Sequence, residues 1–279
     1  SLANFMAGNV LRFTGMPAGS DPSVYPRQTL YGMYVQDDIR LTSRLSVNLG
    51  LRYEFVTTPS VKYGRISNLH NYLTPGQTEA NLVLGNPYYL NPSLLNFAPR
   101  VGFAWDPTGA GKTSIRGGCG IFYQLLQTKD IVQGLWGTPP YVVSTANNPS
   151  FPNPFAGTGP AAPLPGTGIG IYSGLASTPL NMQYNLNIQR DLSRGMVLTV
   201  GYTGSRGSHL LLTRDYNTPQ LINGLWGTAG PNGTTTPNVR INTNFAGYSM
   251  RNSVGNSNYN GLIASLSRRF ANHWQTQVS

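Results

Sequence analysis

Residues 31–55 read YGMYVQDDIRLTSRLSVNLGLRYEF, and the order of apolar and polar side chains in this stretch decides the fold. From Leu45 to Phe55 every second residue is apolar, and Ser, Asn, Gly, Arg and Glu occupy the positions between. A period of two predicts a β-strand with one apolar and one polar face. The first half alternates in the same way, with apolar Tyr31, Met33, Val35 and Ile39. The residues LTSR at 41–44 reverse the chain, so the stretch predicts an antiparallel hairpin.

The same pattern occurs in three later stretches of the chain. One covers residues 97–123, one covers 180–202 with the turn DLSRG, and one covers 262–278 with the turn ANH. The polar face of the 180–202 pair is rich in amides and almost free of charge. Together with the first hairpin, these stretches predict about eight antiparallel strands in an up-and-down order.

The turn of the second hairpin contains GAGKT, which resembles part of a phosphate-binding loop. The full pattern G-x-x-x-x-G-K-[ST] needs a glycine where this chain has Asp106, and it must open a helix. The residues after Thr113 are SIRGGCGIFY, whose glycines disfavour a helix. We therefore predict a hairpin tip, with Gly109 and Gly111 at positive φ and the Lys112 side chain in water.

The connections between the hairpins are much longer than the turns within them. The segments 56–96, 124–179 and 203–261 are rich in Gly, Pro, Asn, Ser and Thr. Short turns that alternate with long loops are typical of outer-membrane barrels, whose short turns are periplasmic and whose long loops are extracellular. The fold class predicted is therefore all-β: an antiparallel up-and-down transmembrane β-barrel, present in part, with long extracellular loops.

The composition narrows the class of protein further. Charged residues make up 10% of the chain, against about 25% in soluble proteins. No apolar run approaches the roughly 18 residues of a membrane-spanning helix. The net charge is +10, but the basic residues are scattered, which argues against nucleic-acid binding. The single cysteine, Cys119, has no partner for an internal disulfide.

A soluble sheet with one face on a core would show the same alternation, and three features favour a bilayer. The apolar faces carry almost no charge, and the polar faces hold amides, hydroxyls, glycines and ion-pair candidates such as Arg52 with Asp38 or Glu54. Aromatic residues gather near the strand ends of the apolar face, as in interfacial belts. These are Tyr31, Phe55, Phe97, Tyr123 and Tyr202 on the long-loop side, and Trp105 and Trp274 on the short-turn side.

No catalytic, cofactor-binding or metal site is predicted. His70, His209 and His273 are widely separated, and neighbouring Asp37 and Asp38 point to opposite faces of a strand. The sequence GTGIG at 166–170 lacks the strand-to-helix context of a dinucleotide site. Ligand-binding residues remain unassigned. The aromatic loop residues that either stack on a ligand or pack within the loops are Tyr88, Tyr89, Trp136 and Trp226.

At these strands the chain resembles the barrel region of TonB-dependent outer-membrane receptors, in particular the Oar-like group. The matching blocks are YGMYVQDDIRLTSRLSVNLGLRYE, NFAPRVGFAWDPTGAGKTSIRGGCGIFY, QYNLNIQRDLSRGMVLTVGYTGSRGSHL and YNGLIASLSRRF, in the order found in the family. Cys119 departs from the pattern, because an aromatic or other ordinary strand residue is expected there. The long loops do not match.

The resemblance implies a barrel of about 22 strands, closed by an N-terminal plug, that binds a scarce nutrient at the cell surface and admits it with energy from TonB. Residues 1–279 are then a fragment of that barrel, without plug domain, signal peptide or C-terminal strands. The implied partners are outer-membrane lipid, the TonB complex through the plug, and a small-molecule or oligosaccharide ligand. Two alternatives stay open: a passive porin or small eight-stranded barrel, and a secreted soluble β-sandwich enzyme or carbohydrate-binding module.

Overall fold

The computed structural model describes residues 4, 6–10, 12–15, 23–91, 94–126, 128, 144–147, 149, 151–155, 169–193, 195–218, 240–242, 244–245, 247–271 and 274–278. None of the helices in these ranges is long and apolar enough to cross a membrane. Two short 3₁₀ turns, Lys62–Gly64 and Glu79–Asn81, lie in the first long loop. The strands are β1 (Arg12–Gly15), β2 (Pro26–Arg27), β3 (Leu30–Arg40), β4 (Leu45–Val56), β5 (Ser60–Val61), β6 (Ser67–Asn68), β7 (Val83–Leu84), β8 (Phe97–Trp105), β9 (Thr113–Tyr123), β10 (Ser144–Asn147), β11 (Ile169–Tyr172), β12 (Leu180–Ser193), β13 (Met196–Asp215), β14 (Tyr248–Ala271) and β15 (Trp274–Val278).

One 9-stranded sheet contains all four predicted hairpins. Its order is β11-β14-β13-β12-β9-β8-β4-β3, and β15 also pairs with β14. Every pairing is antiparallel except that of β11 with β14, which is parallel. The predicted all-β, up-and-down arrangement is confirmed, and β11 is an additional strand supplied by a predicted loop. Within the described residues the sheet is open, with β3 at one edge.

Two strands are longer than the sequence predicted. We expected the third pair to end at Tyr202 and the fourth to begin at Leu262, but β13 continues to Asp215 and β14 begins at Tyr248. The alternation is lost there because residues 203–209 include no apolar side chain, and beyond them the register shifts twice, between Gly207 and Leu210 and again between Leu210 and Leu211. These β-bulges add an unpaired residue to a strand and change which face its side chains occupy. Since about 9–11 residues span a bilayer, the extra length continues beyond it.

The paired residues form rows across the sheet, and each row is staggered relative to the turns. One row on the apolar face runs from Asp37 in β3 to Asn260 in β14. Asp37 lies close to the short turn at 41–44, whereas Asn260 lies far from Ala271, where β14 reaches its own short turn. Such a stagger is the shear of a barrel wall, whose strands tilt by roughly 35–45°. Two residues of one row therefore lie at opposite ends of the wall.

The stagger also explains the few charges on the apolar face. Pairing places four charged residues there, so the face is less free of charge than the sequence suggested. Three lie near the short-turn ends of their strands, and Arg206 lies at the long-loop end of the apolar part of β13. The middle of the face holds only uncharged side chains. The three short-turn residues are Asp37, Arg190 and Arg268.

The buried hydrophobic clusters of the described residues lie among the long loops and the strand ends next to them. One cluster contains Val61, Ile66, Tyr88, Tyr89, Leu126, Tyr172 and Ala176. A second contains Leu69, Leu82, Ile169, Ile171, Phe245, Tyr248 and Met250. We call the described parts of the three long connections, 57–91, 169–179 and 216–247, together with the loop ends of β13 and β14, the loop cap. These connections contain some regular structure: β11 pairs with β14, and short pairings join β2 to β5 and β6 to β7.

Candidate functional site: the polar wall and the loop cap

The predicted aromatic belt forms at the long-loop end of the apolar face. The rings of Tyr31 and Phe55 stack with centroids 4.9 Å apart, and Tyr53 and Phe97 lie 4.8 Å apart. Further along the sheet, the hydroxyls of Tyr184 and Tyr202 both donate to Asn260 Oδ1, at 2.8 and 2.7 Å. Tyrosines that present a ring to an apolar layer and a hydroxyl to a polar layer are typical of a membrane interface.

At the short-turn end, Trp105 is the final residue of β8 and its side chain is exposed. The side chain of Trp274 lies outside the described part of the chain, so the second belt is described only at Trp105.

The polar face of the sheet forms a wall of amides, hydroxyls and glycines with several arginines. Arg52 Nε donates to Glu54 Oε2 at 2.7 Å, so this predicted ion pair is formed. The other candidate partner, Asp38, accepts a hydrogen bond from Asn48 Nδ2 instead. Arg100 is different, because its guanidinium carbon lies 4.5 Å from the centroid of the Phe122 ring and no carboxylate among the described residues pairs with it.

Buried asparagine side chains hold the loop cap together. Asn68 Nδ2 donates to the carbonyl of Tyr88 at 2.8 Å, and Asn68 Oδ1 accepts from the N–H groups of Leu69 at 2.9 Å and Tyr172 at 3.2 Å. This one side chain therefore connects the first long loop to β11. Because buried backbone polar groups need partners, a short amide that supplies both donor and acceptor suits a packed loop.

Asn217 and Asn242 likewise connect parts of the chain through side-chain hydrogen bonds to the backbone, here in the third loop. Asn217 Nδ2 donates to the carbonyl oxygens of Asn242 and Phe245, at 2.8 and 2.9 Å. Asn242 Nδ2 in turn donates to the carbonyl of Gln77 at 2.5 Å and to the Tyr248 hydroxyl at 2.6 Å. The first and third loops are thereby joined. Nothing in the alternation pattern distinguishes these asparagines from the many others, and only their tertiary contacts identify them.

Two of the aromatic loop residues that were candidates for ligand contact lie inside this core. Tyr88 is 1% exposed and Tyr89 is 2% exposed. Both rings pack on Tyr172, with centroids 5.5 and 5.8 Å away. Burial raises the pKa of Tyr88 well above its usual range. Packing within the loops therefore replaces ligand stacking as their role, while Trp136 and Trp226 lie outside the described residues.

The GAGKT segment is a hairpin tip, as predicted. Gly109 and Gly111 have φ of 69° and 68°, and Lys112 is exposed. The carboxylate of Asp106 accepts hydrogen bonds from the N–H groups of Thr108, Gly109 and Gly111 at 3.1, 2.9 and 2.8 Å. These hydrogen bonds lower the pKa of Asp106, and the bond from Gly111 has the largest effect. The backbone donors that would surround a phosphate in a nucleotide site thus surround a side chain of the protein itself.

Where the chain is described, the structure brings none of the remaining titratable candidates together. Asp37 and Asp38 point to opposite faces of β3, and no group of three or more metal-ligating side chains occurs in the described ranges. His70 lies in the first long loop, His209 lies at the bulge of β13 with φ of 56°, and His273 is outside the described residues. Of the stretch 166–170 only Ile169 and Gly170 are described, and both belong to β11.

The family of the chain follows from comparison with known proteins. The model of the outer membrane beta barrel domain matches residues 1–279. The chain belongs to this outer membrane β-barrel family. A search of curated proteins finds no relative by sequence.

Several solved structures have a similar arrangement of strands. The transporter YddB from Escherichia coli has a TM-score of 0.48 and 14% identity over 86% of this chain and 22% of its own. The siderophore receptor PirA from Pseudomonas aeruginosa has a TM-score of 0.44 and 10% identity, over 88% of this chain and 32% of PirA. The FrpB iron transporter from Neisseria meningitidis has a TM-score of 0.43 and 12% identity, over 89% of this chain and 25% of FrpB. The chain spans 22% to 32% of the length of these proteins.

Family membership assigns the two faces of the wall and the location of the protein. The protein resides in the bacterial outer membrane. In an outer membrane β-barrel the apolar face contacts lipid and the polar face lines the interior. Leu49 and Val101 therefore face acyl chains, whereas Arg52 and Arg100 face the interior of the barrel. The loop cap lies at the end of the wall opposite the short turns.

Proposed function

We propose that this outer membrane β-barrel chain is part of a TonB-dependent receptor of the Oar-like group. Such a receptor binds a scarce nutrient, a small molecule or an oligosaccharide, at the cell surface and takes it up with energy supplied by TonB. The observation that carries the proposal is the folded loop cap, in which buried Asn68 and Asn242 join three long loops. A packed extracellular cap suits selective capture better than free diffusion, which needs an open passage.

The proposed domain organisation follows from the same resemblance. The chain supplies about eight antiparallel strands of a wall of about 22 strands. The plug, the segment that contacts TonB, the export signal and the remaining strands belong to other parts of the polypeptide. The proposed role is transport and not catalysis.

The experiment uses the full-length protein purified and reconstituted into liposomes. Liposome swelling in arabinose reports whether the protein forms an open pore, and a binding assay with the purified C-terminal domain of TonB reports the coupling. The proposal predicts no swelling above that of empty liposomes and specific binding of TonB. Rapid swelling without TonB binding would identify a passive porin and contradict the proposal.

A further inference from the structure

We propose that Arg100 is the centre of a binding site on the inner wall for carboxylate-bearing, hydroxyl-rich small molecules. The inference deepens the proposed uptake function and rests on it, because it names the chemical class of the ligand that passes along the wall. Four features carry it: the row of residues in which Arg100 stands, its unpaired charge, the space around it, and the chemistry of its neighbours.

The first feature is the composition of the row. Strand pairing places Gln36, Gly50, Arg100, Gly120 and Gln183 side by side on the inner face, in that order. Adjacent strands are about 4.8 Å apart, so each glutamine lies about 10 Å from Arg100. The two glycines contribute no side chains beside the arginine. The Arg100 side chain and the Phe122 ring lie over Gly120, so the open floor is on the Gly50 side, between Arg100 and Gln36.

The second feature is the unpaired charge of Arg100. Its neighbour Arg52 is neutralised by Glu54 at 2.7 Å, but the Arg100 side chain has neither an ion pair nor a hydrogen bond among the described residues. Its guanidinium instead lies over Phe122, 4.5 Å from the ring centroid. A guanidinium on an aromatic ring keeps the N–H groups at its edge available to a planar anion. The contact with Phe122 holds the cation in place for such a partner.

The third feature is the space beside the arginine. Two recesses that Arg100 shares with other polar-face residues measure about 210 Å³ and about 190 Å³. The first also contains Tyr34, Gln36 and Arg52, and the second contains Phe122, Gln183 and Asn185. A Cβ added at Gly50 would approach nothing closer than 3.8 Å, so packing does not require a glycine there. The empty floor leaves room for a ligand.

The chemistry of these groups selects the class of ligand. Arginine binds carboxylate through two parallel N–H···O bonds, which favours a planar carboxylate over a spherical anion. The side-chain amides of Gln36 and Gln183 have no partner among the described residues, and they supply donors and acceptors for hydroxyl groups. A sugar acid or hydroxy acid meets both requirements, whereas a neutral sugar leaves the cation unpaired. A carboxylate from another part of the receptor would satisfy Arg100 equally, and the test separates the two sources.

The test measures binding to the full-length receptor by isothermal titration calorimetry. The probes are trigalacturonate, gluconate and citrate, with the fully methyl-esterified trigalacturonate as the uncharged counterpart. We expect at least one of the three carboxylates to bind and the ester to bind much more weakly. Arg100→Gln is expected to weaken carboxylate binding about tenfold to a hundredfold, the effect of losing a charge-assisted pair of hydrogen bonds. Arg100→Lys retains part of the affinity, because lysine keeps the charge but not the fork.

Two further variants make the result specific. Arg206→Gln removes the same charge from an exposed arginine on the lipid-facing side, and binding is expected to stay unchanged. Gly50→Val fills the floor beside Arg100 without altering any charge, and binding is expected to fall. Equal loss in R100Q and R206Q would overturn the proposal, since it would indicate a general charge effect.

Failure of the inference is distinguishable from failure of the proposed function. If the wild type binds none of the three carboxylates and R100Q lowers thermal stability, Arg100 pairs with a carboxylate of the receptor itself and the inference is overturned. TonB binding would be unaffected by that result. Conversely, loss of carboxylate binding in R100Q supports the site even where TonB does not bind the receptor.

Discussion

The carboxylate of Asp106 accepts a hydrogen bond from the backbone N–H of Gly111, with 2.8 Å between Oδ2 and N. The N–H groups of Thr108 and Gly109 donate to Oδ1 of the same carboxylate. In a phosphate loop a glycine stands at the position of Asp106 and the backbone donors enclose a bound anion. In this chain the Asp106 carboxylate is the anion, and the backbone N–H groups around it belong to the turn of a hairpin.

Asp106→Asn is expected to lower the stability of the folded protein at neutral pH. The pKa of Asp106 is lowered in the fold, so its contribution is complete above the unfolded value of 3.8 and is lost as the pH falls through the lower folded value. The urea midpoints of wild type and D106N in phospholipid vesicles, followed by tryptophan fluorescence, should differ at pH 7 and converge at strongly acidic pH. A difference that persists unchanged into acid would refute the linkage.

Lys112→Ala is expected to change neither stability nor ligand binding, because the lysine side chain is exposed at the tip. Retention of the wild type and of K112A on ATP-agarose tests whether Lys112 takes part in nucleotide binding. Magnesium-dependent retention that K112A abolishes would restore the nucleotide interpretation.

Leu51→Arg is expected to destabilise the protein by about 2–4 kcal/mol, the cost of an arginine on the lipid-facing side near the bilayer midplane. Leu51 lies in the middle of β4 and pairs with the uncharged residues Val35 and Pro99. Asn48→Arg is the control on the same strand, since this position faces the interior and should tolerate the charge. Equilibrium unfolding in phospholipid vesicles gives both values. Equal costs at the two positions would argue against a lipid-facing Leu51.

Asn68→Ala is expected to destabilise the loop cap by about 1–3 kcal/mol, because it leaves buried donors and acceptors without partners. Asn68 is 2% exposed, and it contacts the backbone of Leu69, Tyr88 and Tyr172. Hydrogen exchange of the Tyr172 amide should accelerate markedly in N68A. The exposed Asn71→Ala serves as the control and should leave that amide protected. Unchanged protection in N68A would show that the cap does not depend on this side chain.

Gly255→Ala is expected to cost about 1–3 kcal/mol through overpacking at the bulge of β13 and β14. An added Cβ would lie 2.9 Å from the carbonyl oxygen of Leu210, which is backbone and cannot move aside easily. Gly50→Ala is the control, because the nearest atom to its added Cβ is 3.8 Å away. The free energies of unfolding of the two variants are compared in urea. Comparable losses in both would contradict the assignment of strain to the bulge.

The strand pairs could be predicted because their determinants are local. Alternation from Leu45 to Phe55 and turn residues such as Gly109 and Gly111 determine hairpins within a short stretch of chain. The continuation of β13 and β14 was not predicted because residues 203–209 include no apolar side chain and the bulges near His209 then shift the register. Without a period of two, residues 203–215 have no feature that distinguishes a strand from a loop.

The loop cap and the candidate site could not be predicted for a different reason. Tyr88 and Tyr172 are far apart in the sequence, and their contact depends on how β11 docks beside β14. Alternation places Arg100 on the polar face, but its glycine neighbours belong to two other strands. Only the register between strands shows that the residues directly beside Arg100 in its row are both glycines.

The central claim is that the alternating side chains of the wall face lipid on one side and the aqueous interior on the other. Nitroxide labels attached at Val47 and Asn48 of the full-length protein in liposomes test it directly by electron paramagnetic resonance. The account predicts that dissolved oxygen relaxes the label at Val47 more strongly, whereas a water-soluble nickel chelate relaxes the label at Asn48 more strongly. Equal access of both relaxants to the two labels would contradict the account.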